Sequence, residues 1–240
     1  MKAPVLPTSM TVQGLLGRAL RRSDCLLAAA AGTLPLVALQ AWKNWDPLSP
    51  ESVLAQLLWI PVGIYCQLRV LDSLAKAETD PNLKAPGADA AAALPSAIGA
   101  ELLFSLRFCV LAELCFLPAL LALSVLGVEK PLKIGIILVL ALLGALPLAG
   151  WAFKRLFALA VVLWQGLNAG QALAESARLA PWKKLKTFIL PLLLWFGLAF
   201  LLQSAIEMAE GPAWLDFLLQ PLAFLIAQAA LLWGYLKLTL

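Results

Sequence analysis

The chain has 240 residues, 62% of them hydrophobic and 13% charged, with a formal net charge of +4. Soluble domains are about half apolar and about a quarter charged, so this composition excludes an ordinary water-soluble globule. No histidine is present, which removes the commonest general base and metal ligand, and no basic-aromatic or recognition-helix pattern points to nucleic acid.

Residues 1–10 are short, proline-containing and expected to be loose. In 11–22, Val12, Leu15, Leu16 and Ala19 recur at helical spacing while Arg18, Arg21 and Arg22 fall elsewhere. That pattern predicts an amphipathic surface helix. The apolar run 25–42 follows. It is longer than a signal-peptide core and lacks a clean A-x-A end, so it is expected to be an uncleaved span. A loop with Pro47 and Pro50 leads to a second span, 52–68, closed by Arg69 and Asp72. Residues 72–96 are rich in Ala, Pro, Gly and Asp without a large apolar face, and read as a mobile cytoplasmic loop. A second lead-in, 96–107, sets Ile98, Leu102 and Leu106 against Glu101 and Arg107. Spans at 108–126 and 134–153 are joined by a tight turn, and Lys154 and Arg155 mark the end of the latter. The apolar stretch to Trp164 either extends this helix or bends onto the surface. Beyond the break at Gly166–Gly170, residues 171–186 form a third lead-in ending in Trp182, Lys183, Lys184 and Lys186. Spans at 187–206 and 217–235 flank an acidic loop. The fold class is therefore all-α: a polytopic transmembrane helical bundle of about six spans, with residues 1–240 forming a single integral membrane domain.

Charge sets the orientation. With the N-terminus inside, only Lys43, Lys130 and Lys133 among the 18 Lys and Arg fall outside, which the positive-inside rule favours. The expected location is a bacterial inner (cytoplasmic) membrane, multi-pass, with both termini cytoplasmic. Trp42, Trp45 and Trp214 fall at outer span ends; Trp151, Trp182, Trp233 and Tyr235 fall at inner ends. Aromatic rings with one polar edge prefer that boundary.

Each predicted span carries a proline: Pro35, Pro61, Pro118, Pro147, Pro191 and Pro221. Leucine precedes it in the odd spans, at Leu34, Leu117 and Leu190, and each odd span follows a basic lead-in. This reads as three repeated Pro-kinked hairpins with amphipathic lead-in helices. The competing explanation is chance, because proline is common in membrane helices.

Glu113 is the acid inside an apolar run, and an intramembrane carboxylate is a functional candidate by default. It either snorkels or pairs with Lys154 or Arg155, or it serves a proton or substrate path. The amides Gln40, Gln56, Gln67, Gln203, Gln220 and Gln228 also fall in spans, where interhelical hydrogen bonding is their usual role. Cys25, Cys66, Cys109 and Cys115 form no CxxC pair and read as free thiols behaving as small hydrophobes. Phosphate-loop, triad and metal-ligand patterns are missing from the sequence, so no cofactor and no enzymatic activity are expected.

The segment LFALAVVLWQGLNAGQALAESARLAPWKKLKTFILPLLLWFG, residues 156–197, carries an apolar stretch, Gly166, then Ala172, Leu173, Ser176, Leu179, Trp182 and Lys183. It resembles a recurring segment of a broad bacterial family that includes the membrane domain attached to glycerophosphoryl diester phosphodiesterases and the YciC-like proteins. GLLGRALRR before the first span looks like that family's opening helix. Gln165 stands where the family often has an acid, and Ala174-Glu175 where it often has arginines. The resemblance implies six spans with amphipathic connecting helices and, since the catalytic domain of the fused relatives has no counterpart in these residues, no hydrolase activity.

The expected function is a non-enzymatic, accessory, scaffolding or lipid-handling role in the cell envelope. The alternative is a small-molecule or lipid transporter, or a transporter subunit, using the Pro-kinked spans and Glu113. Expected partners are membrane lipids of the anionic inner leaflet and a protein complex. The clusters Arg18, Arg21, Arg22 and Lys183, Lys184, Lys186 are the candidate anionic-lipid contacts, at about 1 kcal/mol per charge. The same clusters also serve as plain topology determinants.

Overall fold

A computed structural model describes residues 11–40, 49–76, 88–126, 131–181, 184, 189–198, 201 and 213–239. Its helices are α1 (Val12–Arg21), α2 (Ser23–Gln40), α3 (Pro50–Lys76), α4 (Ala88–Leu126), α5 (Pro131–Arg155), α6 (Ala158–Gln165), α7 (Ala169–Leu179), α8 (Ile189–Leu198) and α9 (Ala213–Thr239). No strand occurs among the described residues. Four stretches are long and apolar enough to cross a bilayer: Pro50–Ala75, Asp89–Val125, Ile134–Gln165 and Phe217–Thr239. The chain is an all-α membrane protein. The predicted span 25–42 corresponds to α2 and 187–206 to α8, each with residues outside the described set.

Local chemistry fixes several helix ends. Thr11 caps α1, its hydroxyl accepting from the Gly14 N–H at 3.2 Å. Asn168 caps α7, accepting from the Gln171 N–H at 3.0 Å. Both side chains satisfy a backbone donor that has no partner within the helix. Gly166 closes α6 at φ 65, the left-handed conformation that a Cβ disfavours.

Packing is uneven along the bundle. Helices α2 and α3 form one hairpin and α4 and α5 another, while α9 packs on α1, α2 and α3. The core gathers where the α3 C-terminus, the α4 N-terminus, α6, α7 and the α9 C-terminus converge. Leu68, Leu71, Leu74, Ala97, Phe157, Ala160, Val161, Leu232 and Tyr235 there are almost completely buried. From Leu102 to Val125 in α4, and from Ile134 to Leu146 in α5, most large apolar side chains are exposed, as in helices whose solvent is lipid.

Three expectations change. Residues 72–96 are not one loop: α3 continues through Lys76 and α4 starts at Ala88, while 77–87 lie outside the described residues. Leu71, Leu74 and Ala75 are buried, so core packing carries α3 past Asp72. The alanine run at 88–93 has the strongest intrinsic helix preference, and Asp89 in the first turn favours the dipole. The lead-in 96–107 is continuous with its span, forming one 39-residue helix through Pro95 and Pro118. Of the two alternatives for 156–164, the surface bend is excluded: the segment continues the apolar stretch Ile134–Gln165, interrupted by a turn at 156–157, and Ala158 to Trp164 of α6 are all buried.

The repeat is correspondingly partial. α1 and α7 are separate lead-ins, the middle one is fused to α4, and the third hairpin lies partly outside the described residues. Pro35, Pro61, Pro118, Pro147 and Pro221 sit inside helices, and Pro191 lies in α8.

A charged cluster ties α2 to α3. Arg22 donates to both Asp24 oxygens at 3.0 and 2.9 Å, and the Ser73 hydroxyl donates to the same carboxylate. Burial pushes the Asp24 carboxyl up, but hydrogen bonds from Arg22 and Ser73, the Arg22 charge and the Cys25 backbone outweigh it and hold it at about 2. A carboxyl held below its unfolded value stabilises the fold above that value, 3.8, and loses the contribution as pH falls toward about 2. The Asp24 side chain is about a quarter exposed, at 24%, and solvent screening leaves a contribution of about 1 kcal/mol. Asp24→Asn is therefore expected to lower stability by about that amount at neutral pH and to flatten the acid limb of unfolding followed by circular dichroism between pH 4 and 2.

Candidate functional site

Helices α2, α3, α4 and α9 enclose a groove of about 670 Å³. Its apolar walls include Val53, Leu57, Ile60, Ile64, Leu102 and Phe224, and set among them are Gln56, Gln67, Glu101 and Ser105. Among the described residues the side chains of those four polar groups form no hydrogen bond or ion pair. Polar groups in an apolar setting cost free energy until a partner is found, so this row can receive the polar part of an amphiphile.

The sequence builds the groove through close helix contacts. A Cβ at Gly32 would stand 3.0 Å from the Cys66 Cβ and 3.7 Å from Phe224, so glycine lets α2 approach α3 and α9. The Trp59 indole N–H then donates to the Gly32 carbonyl at 3.2 Å. On α3, Gln56, Ile60, Ile64 and Gln67 follow helical spacing and line the groove together. From Val53 to Gln67 it runs along about 21 Å of helix.

The candidate residues divide differently from their sequence grouping. Glu113 is exposed on α4, outside the groove, and forms no ion pair among the described residues. Its expected partner Arg155 instead donates to the Trp151 carbonyl at 3.1 Å and stacks 4.2 Å over the Trp151 ring. Arg22 is engaged with Asp24, Arg21 is exposed and Arg18 is half-buried. The apolar face of α1, with Val12, Leu15 and Ala19, is buried in the protein core, leaving it unavailable for insertion into lipid. The Lys184 amine donates to the Leu238 carbonyl at 3.0 Å, where a cation suits the C-terminal end of α9. Lys183 and Lys186 lie outside the described residues.

Gln56 and Gln67 were singled out as intramembrane amides; the grouping with Glu101 and Ser105 was missed. Gln228 is buried with its Oε1 unpartnered, and Gln203 lies outside the described residues. The four cysteines are free. Among the described residues no cluster of Cys, Asp and Glu could hold a metal.

Comparison with known proteins adds no relative: no family model, no curated protein and no solved structure matches the chain.

Proposed function

We propose that this protein is a multi-pass, non-enzymatic protein of a bacterial inner membrane, with both termini cytoplasmic, that handles lipid through the groove between α3 and α4. The observation that carries the reading is the row Gln56, Gln67, Glu101 and Ser105, unpartnered within otherwise apolar walls. An acyl chain satisfies the walls, and hydroxyl, amine or amide donors on a headgroup satisfy the row. The excess of Lys and Arg on the side of the buried core supports the orientation. The resemblance of residues 156–197 to a six-span membrane family supports the multi-pass part of this reading.

A photoreactive-acyl phospholipid in nanodiscs tests it. Cross-links are expected to concentrate on peptides containing residues 53–67 and 101–105. Gln67→Leu combined with Glu101→Leu is expected to reduce that labelling about tenfold, the value of losing one or two hydrogen bonds to a charged or polar headgroup. Labelling spread evenly over the exposed α4–α5 surface would refute the reading.

The length of the groove favours a second reading, passage of lipid between leaflets, since about 21 Å covers much of a hydrocarbon core about 30 Å thick. Lipid scrambling by protein-containing liposomes, measured against empty ones, separates passage from binding alone.

A further inference from the structure

A second cavity, of about 490 Å³, lies away from the groove at the C-terminal end of α5. It is lined by Pro147, Gly150, Trp151, Lys154, Arg155 and Ala177. Its chemistry is opposite to that of the groove: two cations and no acid. The Arg107 guanidinium of α4 is near enough for its charge to repel that of Arg155. Among the described residues none of Arg107, Lys154 and Arg155 has a carboxylate partner. Glu175 on neighbouring α7 is engaged in a two-point pair with Arg178, at 2.7 Å for each contact.

The cations are held in place. Trp151 lies between Phe104, whose ring centroid is 5.3 Å away, and the Arg155 guanidinium, 4.2 Å above the indole. Arg155 Nη1 is fixed on the Trp151 carbonyl, while Nε is buried with no acceptor. The Ser176 hydroxyl donates to the Lys154 carbonyl at 2.9 Å and fixes α7 as the wall that carries Ala177. A stacked guanidinium with unused donors is preorganised for an anion with several acceptor oxygens. Three uncompensated positive charges supply the attraction. Above the pocket, Leu142, Leu143 and Leu146 of α5 are exposed at 64%, 60% and 69%, an apolar track of the kind an acyl chain covers.

We infer that this pocket is a phosphate-binding site, and that its ligand is the phosphodiester of a phospholipid whose chains lie along α5. The inference is independent of the groove, which shares no lining residue with it.

Native mass spectrometry of the full-length protein, stripped of lipid in detergent, tests it. Short-chain phosphatidylglycerol is the probe, and short-chain diacylglycerol is the same molecule without phosphate. The unaltered protein is expected to bind the first at least about tenfold more tightly than the second, as charge-assisted hydrogen bonds require. Equal binding would overturn the site without any variant having to fold. Lys154→Gln with Arg155→Gln is expected to abolish the preference, while Arg69→Gln, which removes a charge on α3 that lines neither cavity, leaves it unchanged. Equal loss in both variants would show that total charge decides, and would refute the pocket. Displacement of bound phosphatidylglycerol by inorganic phosphate would support the site with free phosphate as its source; retention of phosphatidylglycerol against excess inorganic phosphate would support it with the lipid headgroup as its source.

Discussion

Phe157→Ala is expected to destabilise the protein by about 3–5 kcal/mol, the usual cost of emptying a fully buried aromatic site. Phe157 is 0% exposed and sits in the two-residue turn between α5 and α6. Its ring lies against Gly234 of α9, where a Cβ would stand 2.8 Å from Phe157 Cε1, 3.0 Å from Cζ and 3.4 Å from Leu192 Cδ1. Gly234→Ala alone is therefore expected to cost about 1–3 kcal/mol by overpacking. Combined with Phe157→Ala, the added methyl enters the vacated space and the helix gains a better former. The double variant is expected to be more stable than Phe157→Ala, well short of additivity. Thermal unfolding of the four proteins in one detergent measures the cycle. Strict additivity would show that Phe157 and Gly234 do not press on each other.

Gly144→Val is expected to part the α4–α5 hairpin, with a loss of about 3 kcal/mol, the upper part of the usual overpacking range. A Cβ at Gly144 would collide with the carbonyl oxygen of Cys115, also approaching the Cys115 Cβ at 3.6 Å. A backbone carbonyl inside a helix cannot swing aside as a side chain can, so the helices must separate. Small residues permit this kind of close packing between membrane helices, where burial from water supplies no drive. Gly150, on the same helix, would meet nothing within 4 Å; Gly150→Ala is expected to be neutral or to stabilise by up to about 1 kcal/mol. Unfolding midpoints and membrane yield of the two variants make the comparison. Equal behaviour would mean the hairpin contact carries no weight.

Periodicity and composition made legible the helical class, four of the apolar spans and the apolar face of α1. Of Val12, Leu15, Leu16 and Ala19, which share a face by spacing, all but the half-buried Leu16 are buried. What those signals could not show was the partner of that face, which is α9 and the bundle rather than lipid. Residues 88–96 were misread because their small side chains form no large apolar stripe, although alanine favours helix by itself. The buried helix α6 was ambiguous because a uniformly apolar segment looks the same against protein or lipid. The groove was half legible: Gln56 and Gln67 were conspicuous in an apolar span, but their meeting with Glu101 and Ser105 depends on how α3 and α4 pack. Gly166, Ala172, Leu173 and Ser176, quoted for the family resemblance, each have a local cause here: a left-handed cap, two packed side chains and a hydroxyl bound to the Lys154 carbonyl.

The burial of α1 against α9 has a consequence for biosynthesis. A ribosome makes α1 first among these helices and α9 last, so Val12, Leu15 and Ala19 must wait while almost all the intervening chain is threaded into the bilayer. During that interval the headgroup layer is the natural refuge for an amphipathic helix. The α2–α3 and α4–α5 hairpins can pair as soon as each is inserted, but closure of the buried core is deferred to the final stage of synthesis. Nascent chains halted before α9 should thus remain open at that end and be cut there by added protease, even with their hairpins already formed.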